Sequence, residues 1–337
     1  MDKRVIFAVA GSGKTTHIIS QLDEFSRSLV ITFTNNNYAN LRKKIIEKFG
    51  YLPSNIKIVT YFTFLHSFCY KPFLLFKYRT KGIEYHVNPN YFVKGKDRFI
   101  TKYNRLYYNR ISKILDEDGV IENVNHRLTK YFDNLFIDEL QDFAGHDFNF
   151  LSSITRANLN MTFVGDFYQH TYDTSNDGRV NISLHNNYDM YKKKFSEMGL
   201  EVDTTSLNSS HRCSPTVCDY ITDNVGIVIH SHRSDQTIVK YVVDMEEGTE
   251  IIKSNDIVKL FWQKHYNYNC FSSNWGESKG ADHYNDVCVV LYKSIKKPFQ
   301  NGKINALSQR IKNKLYVACT RARGNLYFLE EDKFFNK

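Results

Sequence analysis

A short apolar run followed by a glycine-rich segment constrains the fold of this chain more than any other feature. Residues 5–9 (VIFAV) are β-branched, aromatic or small, which is typical of a buried strand in a parallel sheet. Residues 10–16 read AGSGKTT, and a helical pattern continues to Leu22. A strand, a glycine loop and a helix in this order form a phosphate-binding loop. The sequence therefore predicts an α/β protein that binds a nucleotide.

The residues of this loop have predicted roles. The glycines let backbone N–H groups surround the β-phosphate, Lys14 reaches the β- and γ-phosphates, and the Thr15 hydroxyl is placed for Mg²⁺. Ala8 replaces the first glycine of the usual pattern, so the match is one residue short. The residues predicted to bind ATP in this segment are Ala10, Gly11, Ser12, Gly13, Lys14, Thr15 and Thr16.

A second apolar run, in NLFIDELQDF (134–143), ends in two carboxylates. Residues 135–137 are predicted to form a buried strand, with Asp138 at its carboxyl end, where parallel sheets place ligands. Asp138 is expected to hold Mg²⁺ together with Thr15, and Glu139 is the candidate general base for the attacking water. The alternative is an acidic loop after an ordinary strand, but the phosphate-binding loop upstream argues against it.

A third predicted strand, 161–164, is followed by Gly165, Asp166 and then Gln169. A glutamine beyond a strand end can orient a water molecule and sense a γ-phosphate. Gln169 is therefore predicted to belong to the catalytic set, although an isolated glutamine would carry no such meaning.

Charge and composition suggest a polyanionic partner. The 337 residues carry a net charge of +9, which favours nucleic acid but is weak evidence alone. Residues 70–131 are dense in Lys, Arg, Tyr and Phe, which suits either a single-strand groove or a small helical domain with its aromatics in the core.

Six scattered cysteines without a CxxC pair favour free thiols in a cytoplasmic protein over a zinc site. No apolar stretch approaches twenty residues, so no membrane span is predicted.

Taken in order, the motifs of this chain resemble those of the UvrD/Rep-like helicases of superfamily 1. The set covers nearly the whole chain, and an ordered set is far more specific than any single motif. The matching segments are AVAGSGKTT (8–16), LVITFTNNNYANLRKKI (29–45), TFLHSFC (63–69), IDELQD (137–142), VGDFYQHTY (164–172), LNSSHRCSPTVCDYI (207–221), GESKGADHYNDVCVVLY (276–292) and LYVACTRAR (315–323).

The resemblance implies two RecA-like domains with parallel sheets and with Mg-ATP bound between them. The first would comprise residues 1–69 and 132–205, interrupted by the basic, aromatic-rich helical insertion 70–131. The second would comprise residues 206–337, without the second accessory domain of many relatives.

The resemblance also assigns residues of the second domain. Arg212 and Arg321 are implied to be arginine fingers that reach the γ-phosphate. Arg323 lies two residues beyond Arg321, so its side chain is expected to point away from that of Arg321 whether the segment is extended or helical. His211 stands where relatives stack an aromatic ring on adenine. The remaining ATP-binding residues implied by the motif around 276–292 are Gly280 and Asp282.

The implied nucleic-acid contacts are Phe33, Asn35 and His66, which match positions that face single-stranded DNA in the family. Residues 173–175 (DTS) replace the aromatic residue and arginine–glycine pair with which relatives touch DNA. Two functions therefore stay open. One is a helicase or translocase acting on single-stranded or partly duplex DNA. The other is an ATPase switch for a partner nuclease in anti-phage defence of the Gabija type. A small-molecule P-loop kinase is disfavoured by the arginine motifs.

Overall fold

Most strands of the chain belong to two parallel β-sheets. The computed structural model describes residues 1–88, 90, 92–171 and 180–335. Residues 173–175, discussed above, lie outside the described residues. The described strands are β1 Lys3–Phe7, β2 Ser28–Thr32, β3 Ile56–Thr60, β4 Gly82–Glu84, β5 Arg105–Tyr107, β6 Asn134–Ile137, β7 Asn160–Gly165, β8 Glu201–Asp203, β9 Ser209–Ser210, β10 His230–Ser231, β11 Val239–Tyr241, β12 Ile257–Phe261, β13 Ser272–Asn274, β14 Asp286–Leu291 and β15 Leu326–Glu330.

Helices alternate with these strands. Two of them continue directly into π-helical turns, Phe64–Tyr70 after α3 and Ile221–Val225 after α9. The described α-helices are α1 Lys14–Ser20, α2 Asn35–Phe49, α3 Tyr61–Thr63, α4 Lys71–Tyr78, α5 Ile111–Glu117, α6 Ile121–Tyr131, α7 Gly145–Ile154, α8 Tyr188–Glu197, α9 Pro215–Tyr220, α10 Met245–Lys253, α11 Lys293–Gln300, α12 Gln309–Cys319 and α13 Glu331–Phe334.

The contacts within the chain define two compact units. The first comprises residues 1–6, 14–165 and the described part of 172–203. Its six-stranded sheet has the order β3-β2-β6-β7-β1-β8. The pairs β1–β8, β2–β3, β2–β6 and β6–β7 are parallel. Because the carboxyl ends of parallel strands lie on the same side of a sheet, α1 and the segment after β6 start from the same side of this sheet.

Residues 70–131 form helices and a short two-stranded parallel sheet, β4–β5. Its core is mainly aliphatic, and the buried residues include Leu74, Leu106, Ile114, Leu115, Val124 and Leu128. Several aromatic side chains are instead strongly exposed, namely Phe76, Tyr85, Phe92 and Tyr103. The insertion therefore has a buried aliphatic core as well as several exposed aromatic side chains.

The second unit comprises residues 7–13, 166–171 and 204–337, of which residues up to 335 are described. Its five-stranded parallel sheet has the order β11-β15-β14-β12-β13. One core cluster joins residues from strands β12, β14 and β15 to helices α9 and α12, and it includes Val9 and Ala10 of the glycine loop. The predicted α/β class with parallel sheets is confirmed.

Candidate nucleotide site and nucleic-acid interface

The loop between β1 and α1 is tightly folded around Val9. Ser12 donates two hydrogen bonds to the carbonyl oxygen of Val9, one from its backbone N–H (3.3 Å) and one from its hydroxyl (2.8 Å). Gly11 and Gly13 have φ angles of 72° and 87°. Residues with a Cβ atom rarely adopt these angles, so the turn requires glycine at both positions.

Thr15 and Asp138 lie side by side in the first unit. The Thr15 hydroxyl donates a hydrogen bond to Oδ2 of Asp138 over 3.2 Å. Burial, followed by the charge of Glu139, raises the pKa of Asp138 to about 7, although Lys14 and the Thr15 hydroxyl act in the opposite direction. A hydroxyl and a buried, incompletely neutralised carboxylate are oxygen ligands that suit Mg²⁺. The donor set therefore fits the predicted metal.

Glu139 has an unusual backbone conformation. Its φ of 61° and ψ of 46° place it in the left-handed region, which costs free energy for a residue with a side chain. Its backbone N–H donates to Oδ1 of Asp138 over 3.0 Å, and Nε2 of Gln141 donates to the Glu139 carboxylate. The turn thus fixes the two carboxylates relative to each other. The role of Gln141 was not assigned from the sequence, although it belongs to the same motif.

Gly165, at the end of β7, is packed against this turn. A Cβ atom at Gly165 would lie 2.7 Å from Oε1 of Gln141 and 2.8 Å from Cβ of Leu140. A larger residue would therefore displace the segment that carries Glu139. This contact explains why a glycine follows the third predicted strand.

Gln169 lies in a 3₁₀ turn, Phe167–Gln169, and only 4% of its surface is exposed. Asp166 caps the turn by accepting a hydrogen bond from the Tyr168 N–H over 3.1 Å. These residues belong to the second unit. The turn is thus fixed by its own capping residue.

The glycine loop approaches the Arg212 segment closely within the second unit. A Cβ atom at Gly11 would lie 2.7 Å from both Cβ of Arg212 and Oγ of Ser210. The His211 N–H donates to the Gly11 carbonyl oxygen over 2.9 Å. Gly11 is therefore required for a second reason, the close approach of another segment.

Tyr316, on α12, is bonded to the same loop. Its hydroxyl accepts a hydrogen bond from the backbone N–H of Ala10 (2.8 Å) and donates one to Oδ2 of Asp166 (3.0 Å). All three groups are buried. Burial and the Asp166 carboxylate raise the pKa of Tyr316 well above its ordinary value, so the hydroxyl keeps its proton. One side chain thus connects the phosphate-binding loop to the segment that follows β7.

Arg212 and Arg321 share one carboxylate, that of Asp282. Nη2 of Arg212 forms an ion pair with Oδ1 of Asp282, and Nη1 of Arg321 lies 3.6 Å from the same oxygen. The Asp282 side chain is 59% exposed, whereas that of Arg321 is 2% exposed. The structure thus brings together three residues that the sequence placed in separate motifs.

Arg321 is anchored by backbone carbonyls as well. Its Nε donates to the Val317 oxygen (3.1 Å) and its Nη1 to the Ala281 oxygen (3.3 Å). Burial, then the neighbouring Arg212, lowers the pKa of Arg321 to about 10, while Asp282 acts in the opposite direction. The guanidinium is therefore held rigidly in a position that disfavours its charge.

Arg323 differs from Arg321 in its surroundings. It is exposed, and its Nε donates to the carbonyl oxygen of Asp282 over 2.8 Å.

Gly280 has a φ of 84° and open space around its Cα. The exposed His211 ring stacks on His232, with ring centroids 4.1 Å apart.

The residues predicted to contact DNA lie in the first unit. Phe33 packs edge-on against Phe143, with ring centroids 4.9 Å apart, and Asn35 is the exposed first residue of α2. His66 lies in the π-helical turn and stacks on Phe62 and Tyr70, at centroid distances of 5.7 and 6.0 Å. The π-helical turn therefore places His66 within a group of aromatic rings.

This group extends into the insertion. The Phe62 ring lies 6.1 Å from that of Tyr85, and the Tyr85 ring lies 6.1 Å from that of Tyr108. We call His66, Phe62, Tyr85 and Tyr108 the aromatic row. Tyr85 is 65% exposed. Sequence reasoning found the aromatic density of the insertion but could not pair Tyr85 with Phe62.

The structure thus forms two groups of predicted residues, each inside one unit. The first unit holds Lys14, Thr15, Asp138 and Glu139, with Thr16 exposed on α1, and the second holds residues 10–13, Arg212, Asp282 and Arg321. Within the described ranges, no three His, Cys, Asp or Glu side chains form a cluster that could hold a metal ion. Within the same ranges, no helix is both long and apolar enough to cross a bilayer.

Two solved structures resemble the whole described chain in fold. One is described as arterivirus nonstructural protein 10 (helicase) in complex with DNA; it is 13% identical, with a TM-score of 0.52, and the match covers 97% of this chain and 60% of that one. The other is the crystal structure of arterivirus nonstructural protein 10 (helicase), 14% identical, with a TM-score of 0.50, covering 98% and 60%. This chain therefore spans about 60% of the length of these helicases. No family model matches the chain, and no curated protein does.

These likenesses confirm the predicted fold of RecA-like parallel sheets, and both matched proteins are described as helicases. The finer resemblance to UvrD/Rep-like members rests on the sequence motifs.

Proposed function

We propose that this protein is an ATP-hydrolysing helicase or translocase of the UvrD/Rep-like type that acts on single-stranded or partly duplex DNA. The observation that carries this proposal is the contact of Thr15 with buried Asp138, beside a strained Glu139. This combination is what phosphoryl transfer to water requires: metal ligands and a base held in fixed geometry. The fold likeness to helicases, one of them described in complex with DNA, supports the choice of partner.

The roles follow from the chemistry of each group. Thr15 and Asp138 would hold Mg²⁺, which supplies positive charge to the phosphates when bound. Lys14 would bind the β- and γ-phosphates. Glu139 would accept the proton of the attacking water, which Gln169 would orient.

Arg212 and Arg321 would stabilise the charge that develops on the γ-phosphate. Both already face an anion, the Asp282 carboxylate, which supports their assignment as phosphate ligands. In the proposed domain plan, the first RecA-like domain comprises residues 1–69 and 132–205, the insertion 70–131, and the second domain 206–337.

The aromatic row is the proposed extension of the DNA-binding surface around Phe33, Asn35 and His66. Base stacking on aromatic side chains contributes about 1–3 kcal/mol per base and tolerates any sequence. Tyr85, exposed and in ring contact with Phe62, is suited to this role. The net charge of +9 supports binding to a polyanion.

The test is ATP hydrolysis with and without single-stranded DNA, together with DNA binding over a range of salt concentrations. We expect stimulation by DNA and an affinity that falls steeply with salt, because bound cations are released. Tyr85→Ala should weaken binding by about 5- to 100-fold, from the loss of one stacked base. Tyr103→Ala is the matched control, because Tyr103 is equally exposed but is not in the aromatic row.

Equal effects of the two tyrosine variants would contradict the role of the aromatic row. ATP hydrolysis that ignores DNA, with no DNA binding at any salt concentration, would contradict the helicase proposal. That result would favour the alternative, an ATPase switch whose partner is a protein such as a nuclease in anti-phage defence.

A further inference from the structure

A cavity of about 490 Å³ lies in the first unit, beside the edge strand β3. Its floor includes Leu29 of β2 and Lys57 and Val59 of β3. Leu29 pairs with Lys57 in register, and side chains two residues apart on a strand share a face, so these three residues project to one face of the sheet. The walls come from the π-helical turn and from α6. The volume falls in the range of about 300–1,000 Å³ that is typical of sites for small ligands.

The cavity is separate from the proposed ATP site. Its lining includes Arg27, Asn55 and Phe132, which come just before strands β2, β3 and β6. Asp138, in contrast, follows the carboxyl end of β6. Because these strands are parallel, their amino ends lie on one side of the sheet and their carboxyl ends on the other. The cavity therefore reaches the amino ends of the strands, whereas the proposed metal ligands lie at the carboxyl ends.

The charge of the lining is one-sided. Arg27, Lys57 and Arg127 line the cavity, and its described lining contains no carboxylate. Arg27 is neutralised by Asp133, at 2.5 Å. Lys57 and Arg127 make no hydrogen bond or ion pair through their side chains with any described residue. Two cations therefore face the same space without an anion.

Arg127 is held in place by aromatic rings. Its guanidinium carbon lies 4.8 Å from the ring centroid of Phe68 and 4.9 Å from that of Tyr131. Its Nε is buried and has no hydrogen-bond partner among the described residues. A guanidinium stacked on rings presents its N–H groups at its edge, in a fork that fits two oxygens of a phosphate. The rings thus orient the donors, but they do not satisfy them.

The aromatic walls suggest what accompanies the phosphate. Phe64, Phe68, Tyr131 and Phe132 line the cavity beside the two cations. Tyr131 is 44% exposed, so part of its ring remains accessible to a planar group. We propose that this cavity is a second ligand site of the chain and binds a mononucleotide, with its phosphate on Arg127 and Lys57 and its base against the aromatic wall. This proposal does not depend on the function proposed above.

The test is calorimetric titration of the full chain with thymidine 5′-monophosphate, thymidine and inorganic phosphate. The monophosphate lacks the diphosphate that a phosphate-binding loop recognises, so Lys14→Met should bind it as well as the parent protein does. Arg127→Met keeps an apolar chain between the two rings and should bind the monophosphate about 10- to 100-fold more weakly than the parent protein does. The parent protein should bind thymidine, which lacks the phosphate, more weakly than the monophosphate by a similar factor. Lys57→Gln, at an exposed strand position, should lose about tenfold.

Lys253→Gln is the matched control, because Lys253 is exposed on α10 of the second unit and its loss changes the net charge equally. Its affinity should equal that of the parent protein. The proposal is overturned if the monophosphate does not bind, if Lys14→Met abolishes binding while Arg127→Met and Lys57→Gln keep it, or if Lys253→Gln weakens it as much as Lys57→Gln. Equal affinities for inorganic phosphate and thymidine monophosphate would also overturn it, since the site would then bind any small anion.

Discussion

Replacement of Tyr316 by phenylalanine removes one oxygen that satisfies two buried groups. The Ala10 N–H would lose its acceptor, and an unsatisfied buried donor costs about 1–3 kcal/mol. The Asp166 carboxylate would lose a donor, and hydrogen bonds to charged groups contribute about 1.5–3 kcal/mol. Asp166 keeps its bond from the Tyr168 N–H, and the phenyl ring still fills its space. We therefore expect a loss of about 2.5–6 kcal/mol from the free energy of unfolding of the second unit.

Urea denaturation followed by tryptophan fluorescence measures this loss directly. The two tryptophans of the chain, Trp262 and Trp275, both lie in the second unit, so their emission reports the unfolding of that unit. The transition midpoint should fall without a change in slope.

Tyr220→Phe provides the matched control for this measurement. Tyr220 packs on Phe328 in the same unit, and its hydroxyl makes no hydrogen bond with a described residue, so the change should cost within about 0.5 kcal/mol. ATP binding is a second readout, because only the Tyr316 change frees the loop at Ala10. Equal midpoints for the two variants would refute the assignment of stability to these hydrogen bonds.

Four further changes test the proposed chemistry. Glu139→Gln should keep ATP binding and reduce the rate of ATP hydrolysis, measured in single-turnover assays, by about 10²–10⁴-fold. The reason is that this change removes only the general base. Arg321→Ala should reduce turnover by about 10³–10⁵-fold, whereas the exposed Arg323→Ala should have a much milder effect; equal effects would mean that the loop supplies only general positive potential. Asp138→Asn should raise the melting temperature of the nucleotide-free chain at neutral pH. The pKa of Asp138 is about 7 in the folded state against an ordinary 3.8, so ionisation of this carboxyl group favours the unfolded state as pH rises. The gain in melting temperature should therefore shrink as pH falls toward about 4. Asp282→Asn should lower the melting temperature of the nucleotide-free chain, and a non-hydrolysable ATP analogue should restore more of it than in the parent protein; an unchanged melting temperature would contradict this.

The parts of the site that the sequence predicted are local in the chain. A strand, a left-handed glycine turn and a helix need only neighbouring residues, so the pattern around Gly11 and Gly13 predicts their conformation. The strand before Asp138 is equally local, since a short apolar run can be buried wherever it lies in the sheet.

Long-range contacts were not predictable from these patterns. The hydrogen bond between Ala10 and Tyr316 joins residues 306 positions apart, and no periodicity encodes it. The left-handed conformation of Glu139 also left no signal, because glutamate has no preference for that region. The aromatic row escaped detection because Phe62 and Tyr85 meet only when the insertion folds back on α3.

The sequence motifs placed Asp282 with the ATP-binding residues, but its contacts favour a different role. A carboxylate repels a phosphate, so Asp282 is poorly suited to bind one directly. It is well suited to neutralise Arg212 and Arg321 when no nucleotide is bound, because one of its oxygens faces both guanidinium groups. Two cations and one anion leave an excess positive charge, which agrees with the lowered pKa of Arg321. A γ-phosphate that reached these arginines would have to compete with an exposed carboxylate rather than with a buried one. This exchange costs little free energy because water can solvate the released Asp282 side chain.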